Sequence, residues 1–289
     1  MGLEQSGIGN LFGLRYFAPP TDLRRHISSY YIFHAAMPRL SDLVRADMAQ
    51  LRFMVSGNGT YGFANGRCIV APEVSLLGPT TAATRFDVMG PVLVFGVGIL
   101  PAGWAGLVQE DASLFADTVI DAVDIFGGVL EDALDAMRFD HHPARMIDLM
   151  NMVMRRLMTG VRDVPFWFTG LAERWLTGDP SPAVDQLVRE AGVSARQVER
   201  LARRIYGAPP KLLARKYRAL RAASHLGATD LGWAEAAGDA FYDQSHFIRE
   251  FKRFTGHTPL QFQRAPTPVT KLTLTRRELA DLPPLVLMS

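Results

Sequence analysis

The C-terminal third of the chain contains an internal repeat at an offset of 49 residues. Five positions recur with the same chemical type: Arg200, Arg203, Arg204, Gly207 and Pro210 correspond to Arg249, Lys252, Arg253, Gly256 and Pro259. Val198 and Ile205 correspond to the aromatic residues Phe247 and Phe254. Self-similarity at a fixed offset indicates one supersecondary unit that is used twice.

The first copy predicts two short helices joined by a tight turn. Ser181-Pro182 has the pattern of an N-cap followed by proline at the first helical position, and Gly192 ends that helix. Ser194 then caps a second helix over residues 195–206. Such a pair is a helix-turn-helix, whose second helix enters the major groove of DNA.

The second copy predicts the same unit. Thr229 or Asp230 opens its first helix, and Asp243 caps "QSHFIREFKRFTG", in which Phe247, Phe251 and Phe254 are expected to face the domain. Between the copies, Pro209-Pro210 opens a helix with an apolar stripe formed by Leu213, Tyr217 and Leu220. That stripe is expected to hold the two units relative to each other.

The positive charge of the chain is concentrated in this segment. Residues 181–265 carry 14 Lys+Arg against 8 Asp+Glu, whereas residues 1–180 carry 14 against 19. This asymmetry is typical of a polyanion-binding module beside a neutral or acidic domain. A solvated basic face is the alternative that charge alone leaves open.

The C-terminal segment resembles the DNA-binding domain of the AraC/XylS family of bacterial transcription regulators. The resemblance covers residues 181–264 and is carried by Asp243, Ser245, Phe247, Arg249, Phe251, Lys252, Gly256, Thr258 and Pro259. Two positions depart from the family pattern. Ala240 stands in place of the usual turn glycine, which predicts slight strain, and Ala202 replaces an aromatic, which predicts looser packing in the first unit.

The candidate DNA-contacting residues follow from their positions on the two recognition helices. The start of such a helix reaches deepest into the groove, which selects as base readers Arg196, Glu199, Arg200, Gln244, Ser245, Ile248 and Arg249. Residues further along are placed for phosphates: Arg203, Arg204, Lys252 and Arg253. For Arg200 and Arg249 a phosphate or structural role is an equal alternative, and His246 is expected to pack or lie at the surface.

The first hundred residues are rich in strand patterns. "LRFMV" and "TYGF" flank "SGNG", which predicts a hairpin-type loop, and "ANG" predicts a turn into "RCIV". Residues 91–100 predict a buried strand that ends at Pro101. The resemblance implies that this part senses an effector or mediates dimerisation, on a small β-barrel followed by helices.

A helix predicted over residues 143–158 has a methionine-rich face. Met146, Met150, Val153, Met154 and Leu157 share one side of it. Ordinary core is the first interpretation and a dimer interface the second, because methionine faces adapt to varied partners. The aromatic residues that follow are expected to pack the two domains together or line a pocket: Phe166, Trp167, Phe168 and Trp175.

No pattern in the N-terminal half indicates catalysis. His26 and His34 are the only histidines before residue 120 and lack the spacing of a two-histidine metal site. His141-His142 is expected to be a loop that leads into a helix. Cys68, the single cysteine, is expected to be a small buried hydrophobe. We therefore expect no enzyme activity, no metal and no cofactor.

The composition predicts a cytoplasmic protein. Hydrophobic residues make up 48% and charged residues 21% of the 289 residues, which is typical of a globular chain. No apolar run approaches the roughly 18 residues that cross a membrane, and the first residues lack a secretory signal.

Together these patterns predict an α+β chain of two domains and a tail. Residues 1–176 form the β-rich sensing or dimerisation domain, residues 177–265 the all-α double helix-turn-helix domain, and residues 266–289 the tail. The expected function is a transcription regulator, an activator or a repressor, that binds double-stranded DNA and responds to an unknown small-molecule effector. RNA polymerase contact and a homodimer are further expectations. The alternatives are an enzyme with a basic nucleic-acid anchor and an adaptor with a degenerate helix-turn-helix.

Overall fold

Two long antiparallel strands organise the N-terminal part of the chain. The computed structural model describes residues 11–161, 164–227 and 244–274. The strands of its sheet are β1 (Phe12–Phe17), β2 (Ile27–Ala35), β3 (Arg39–Val44), β4 (Ala49–Gly62), β5 (Cys68–Val70), β6 (Val74–Leu77), β7 (Thr84–Ile99) and β8 (Val119–Asp121). The central strands β4 and β7 pair with each other, and the order is β1-β2-β7-β4-β6-β8, with β3 added to β7 and β5 added to β4.

The prediction of a hairpin loop at "SGNG" is wrong. Strand β4 runs without a break through Ser56–Gly59, and its register against β7 shifts between Met54 and Ser56 and again between Ser56 and Asn58. Gly57 has φ +81°, a backbone conformation that glycine adopts at little cost and that suits a β-bulge. The turn residues therefore bend one long strand. The expected turn between Gly62 and Cys68 is confirmed, because β4 pairs with β5 across it.

The N-terminal β-rich part followed by helices is confirmed, but the sheet is not a barrel. Strands β1 and β8 end the order at opposite sides, and no pairing joins them within the described residues. The buried strand predicted at 91–100 is present as the second half of β7, which begins seven residues earlier, at Thr84. Cys68 is exposed on the short strand β5, so its predicted burial is also wrong.

Helices cover one face of the sheet. They are α1 (Pro101–Leu107), α2 (Val123–Phe126), α3 (Val129–Phe139) and α4 (Pro143–Met158), with a 3₁₀ turn at Ala112–Leu114. The methionine face of α4 lies in the core against the sheet, with Met146 and Met150 at most 1% exposed. The dimer interpretation of that face is therefore wrong, because these side chains are buried within the chain itself.

The C-terminal part is helical, as predicted. Its described helices are α5 (Phe166–Gly178), α6 (Val184–Ala191), α7 (Ala195–Tyr206), α8 (Pro210–Leu226), α9 (Gln244–Thr255), α10 (Pro259–Arg264) and α11 (Pro268–Thr273). The predicted cap at Ser181 is wrong, since α6 begins after Ala183 without a side-chain cap. Thr229, Asp230, Ala240 and Asp243 lie outside the described residues. So do the first helix of the second unit and the turn that follows it.

One apolar cluster joins the helices to the sheet. Phe168 and Trp175 of α5 pack with α6, α7 and α8 and with Met48 and Leu100 of the N-terminal part. The expectation that these two aromatic residues pack the parts together is confirmed, whereas Trp167 is 53% exposed. Within the described ranges, no helix has the length and apolar character needed to cross a membrane.

Candidate nucleic-acid interface

Helix α7 begins at a reciprocal cap. The Ser194 hydroxyl accepts a hydrogen bond from the Gln197 backbone N–H at 3.3 Å, and the Gln197 side chain accepts one from the Ser194 backbone N–H at 3.0 Å. This capping box satisfies two backbone donors at the start of the helix. The helix ends at Gly207, with φ +76°. Val198, Ala202 and Ile205 are at most 2% exposed, so α7 presents one apolar face to the domain.

Helix α9 is the counterpart of α7 at the same offset of 49 residues. Both helices have 12 residues, and Gly256 after α9 has φ +82°, as Gly207 has φ +76° after α7. Phe247, Phe251 and Phe254 are at most 1% exposed, which confirms their predicted packing role. The repeat in the sequence is therefore a repeat in the structure at the level of the recognition helices.

The candidate DNA-contacting residues lie on the opposite, outer faces. All of them are exposed except Ile248, which is half-buried. The candidates are Arg196, Glu199, Arg200, Arg203, Arg204, Gln244, Ser245, Ile248, Arg249, Lys252 and Arg253. Within the described residues, the guanidinium groups of Arg196, Arg200 and Arg249 make no hydrogen bond or ion pair with the protein. These cations are therefore free to meet an anion.

Two of the candidate residues, Glu199 and Arg203, form an ion pair with each other. Arg203 donates to the Glu199 carboxylate at 2.9 Å, and both side chains are about half exposed. Glu199 can accept from another donor only after this ion pair opens. Because a surface pair is weak, opening it costs little free energy. His246 is half-buried, with Nε2 3.5 Å from the Glu250 carboxylate, a packing role as predicted.

A buried carboxylate holds α9 against the connecting helix α8. Glu250 is 2% exposed and accepts hydrogen bonds from Arg215 and, at 2.8 Å, from Arg218. Burial alone would raise the pKa of Glu250, but the hydrogen bonds from Arg218 and Arg215 outweigh it and lower the pKa below its usual value. The interaction therefore holds an ionised Glu250. The sequence reasoning missed this cluster, although an acidic residue in a basic helix is a visible signal.

The glycine ends of both recognition helices contact the N-terminal part. We call residues 43–48 and 79–84 the rim. A β-carbon at Gly207 would lie 2.5 Å from Pro79, and one at Gly256 would lie 2.9 Å from Leu43. The backbone N–H groups of Ala46 and Ala83 donate to the last carbonyls of α9, at Phe254 and Arg253, at 2.7 and 2.9 Å. The rim thus holds equivalent ends of both helices, opposite the N-terminal ends that carry the residues predicted to read bases.

A cavity of about 100 Å³ lies inside the N-terminal part, next to the rim. Apolar side chains from β1, β2, β4 and β7 form most of its wall, and Val269 of α11 closes one side. Arg52 provides a cation there, and its guanidinium donates to Tyr31, Tyr61 and Gln50, each at 2.7 Å. These partners are all uncharged, and within the described residues no carboxylate pairs directly with Arg52, although the Asp47 carboxylate also lines the cavity.

The described residues contain no group of three or more His, Cys, Asp or Glu side chains arranged to hold a metal ion. Within those same residues, His141 and His142 lie in the loop before α4.

Comparison with known proteins identifies the C-terminal module. Residues 187–265 match the family described as "Helix-turn-helix domain". The F1 operon positive regulatory protein of Yersinia pestis is 38% identical over 97 residues, which are 33% of this chain and 32% of that protein. The chain thus matches about a third of the length of this curated relative. The resemblance to AraC/XylS regulators is confirmed for this module.

Solved structures show weaker likenesses. ToxT from Vibrio cholerae O395 covers 80% of this chain and 99% of its own, with a TM-score of 0.45 and 10% identity. The AraC-like transcriptional activator CuxR covers 66% of this chain and 80% of its own, with a TM-score of 0.29 and 12% identity.

Proposed function

Because residues 187–265 belong to a helix-turn-helix domain of the AraC type, we propose that this chain is a sequence-specific DNA-binding regulator of transcription. The observation that carries the proposal is the pair of 12-residue helices α7 and α9, whose outer faces present cations. Both helices pack on the connecting helix α8. A rigid pair of this kind would enter two successive major-groove segments on one side of the duplex.

We assign base contacts or phosphate contacts to each side chain according to how deep it would lie in the groove. Arg196, Arg200 and Arg249 read base edges, since bidentate contact of arginine with guanine is the commonest specific contact. Gln244 and Ser245 add polar contacts, Ile248 packs on a thymine methyl group, and Glu199 accepts from a cytosine amine. The cations further along, Arg203, Arg204, Lys252 and Arg253, bind phosphates and set the register.

Selection of bound duplexes from a random pool with the purified full chain tests this proposal. We expect two short enriched boxes about 10 base pairs apart. Arg249→Ala should weaken binding about 10- to 100-fold and relax the preference in one box, and Arg200→Ala should do so in the other. Arg264→Ala is the matched control, because Arg264 is an exposed cation on α10, outside both recognition helices. Absence of enrichment, or equal effects of all three changes, would refute the proposal.

We further propose that the cavity binds the small-molecule effector. Its apolar wall suits a small apolar body, and Arg52 suits an acceptor or anionic head group. Its present volume corresponds to a few water molecules, so a larger ligand would have to displace wall residues.

Paired probes test the cavity. Small carboxylates with an apolar body, each compared with its matched alcohol, should raise the melting temperature of the full chain only as the acid. Arg52→Met should abolish that difference, whereas Arg39→Met, which removes an exposed cation outside the cavity, should preserve it. An acid preference that persists in Arg52→Met, or equal shifts with acids and alcohols in the wild type, would contradict the assignment of Arg52.

The remaining roles follow from DNA binding. We propose that the protein acts in the cytoplasm, where bacterial DNA lies, and that it activates transcription through contact with RNA polymerase. The Yersinia pestis relative is a positive regulatory protein of an operon, and this likeness supports activation. A homodimer remains part of the proposal, and residues 1–176, 177–265 and 266–289 are its proposed sensing domain, DNA-binding domain and tail.

A further inference from the structure

A buried lysine joins the rim to the helix that connects the two DNA-binding units. Lys216 lies on α8 and is 5% exposed. Its ammonium Nζ donates to the carbonyl of Asp47 at 2.7 Å and to the carbonyl of Thr80 at 2.9 Å. One acceptor comes from each of the two rim segments, so Lys216 binds both at once.

The same rim residues are hydrogen-bonded to the polar group inside the cavity. The Asp47 carboxylate accepts from the Gln50 side-chain amide at 2.8 Å, and the Gln50 oxygen accepts from Arg52 at 2.7 Å. The Thr80 hydroxyl accepts from the Asp47 backbone N–H at 2.8 Å. An unbroken series of contacts therefore runs from Arg52 through Gln50 and Asp47 to Lys216.

The rim also contacts both recognition helices. Pro79 lies against Gly207 of the first unit, and Ala46 and Ala83 donate to the end of α9 in the second. A displacement of the rim would therefore move α8 and the ends of both units together.

We propose that Lys216 is a positioning residue through which the polar group of the cavity sets the placement of the two recognition helices. The proposal rests on the DNA-binding function inferred above. Lys216 is buried and is therefore not placed to contact DNA. It acts because its ammonium fixes α8 to two carbonyls whose position depends on Gln50 and Arg52.

The environment of Lys216 supplies a readout. Burial lowers the pKa of Lys216 to about 8, although the carboxylates of Asp47 and Asp117 face it and raise the pKa. Lysines in water titrate near about 10.4. The whole chain has four lysines, at positions 211, 216, 252 and 271, so selective labelling of lysine gives a simple spectrum.

The experiment is a pH titration of the full chain carrying ¹³Cε-labelled lysine, followed by NMR. Lys216→Met identifies the Lys216 signal, whose midpoint we expect near pH 8. Arg52→Met and Gln50→Leu should each raise that midpoint by about half a unit or more, because a loosened rim admits water. Leu14→Ala changes the same cavity outside the series of contacts and should leave the midpoint in place. A cooperative thermal unfolding transition in circular dichroism, above the temperature of the titration, would report that each variant is folded.

A Lys216 signal that titrates with the other lysines would overturn the proposal. So would a midpoint that neither Arg52→Met nor Gln50→Leu moves. These measurements use no DNA and no effector. A wild-type chain that binds no duplex would refute the DNA-binding function while leaving the coupling between cavity and Lys216 supported.

Positioning is separated from a general structural role by two selected duplexes, one with both boxes and one with a single box. Lys216→Met should weaken binding to the two-box duplex about tenfold and to the single-box duplex less than twofold, since only the former requires both helices in place. Lys211→Met, at an exposed position of the same helix, should change neither. Equal losses on both duplexes would overturn the positioning role.

Discussion

Removal of the Glu250 carboxylate should destabilise the contact between α9 and α8. Glu250 is 2% exposed, and it binds two guanidinium groups, Arg215 and Arg218, which are 36% and 17% exposed. Hydrogen bonds to charged groups contribute about 1.5–3 kcal/mol each, and partial access to water lets the two arginines recover some of that. We therefore expect Glu250→Ala to cost about 2–4 kcal/mol and Glu250→Gln, which keeps one acceptor oxygen, about 1–3 kcal/mol.

The pH dependence of the effect has a definite sign. The pKa of Glu250 is lowered in the folded chain, so its stabilisation is present above the unfolded value near about 4.3. It is lost as the pH falls through the lower folded value. The difference in free energy of unfolding between the wild type and Glu250→Gln should therefore have its largest value at neutral pH and decrease once the pH falls below about 4.

Urea denaturation followed by tryptophan fluorescence, at neutral and acidic pH, measures this difference. Glu199→Gln is the matched control, because Glu199 forms an exposed pair with Arg203 on the equivalent helix and should cost less than about 0.5 kcal/mol. A Glu250→Gln variant as stable as that control, or a difference that persists unchanged in acid, would refute the reasoning.

Three further predictions concern the DNA-binding units. Lys252→Ala should weaken binding to all duplexes alike and reduce the slope of log affinity against log salt by about one unit, whereas Lys271→Ala should not; titrations at several salt concentrations measure this. Insertion of five base pairs between the two boxes should place them on opposite sides of the duplex and remove one footprint, and protection of both boxes would contradict a rigid arrangement. Phe251→Ala should lower the free energy of unfolding, measured by denaturation, by about 3–5 kcal/mol. The Phe251 ring is fully buried, and its centroid lies 5.5 Å from that of Phe247 and 5.4 Å from that of Phe262. A cost below about 1 kcal/mol would contradict the role of Phe251 in packing α9.

Local signals in the sequence were sufficient for the DNA-binding helices. Ser194, Gly192 and Pro210 mark helix ends through bonds and backbone angles that involve residues within four positions. The apolar spacing of Phe247, Phe251 and Phe254 identified the buried face of α9, and the offset of 49 residues identified the second copy. Such features depend on neighbours in the chain, so they can be read without a tertiary structure.

Where local signals failed, pairing and packing in the folded chain decided the outcome. Residues 56–59 have the composition of a turn, but pairing with β7 across the whole length of β4 makes them a bulge. Cys68 lies in an apolar pattern, yet its strand is a short addition to β4, which leaves the thiol exposed. Residues 181–182 have a capping pattern, although α6 begins after Ala183, whose carbonyl accepts from the indole N–H of Trp175.

The sequence by itself determined that the chain carries two equivalent basic helices, because their spacing, caps and charges are properties of short segments. Only the tertiary structure revealed that the rim holds both of them and that Lys216 ties the rim to α8. The contacts of Lys216 join residues 169 and 136 positions apart in the chain. No local pattern encodes such contacts, since they arise when the sheet brings residues 43–48 and 79–84 to one edge and the helical part packs against them.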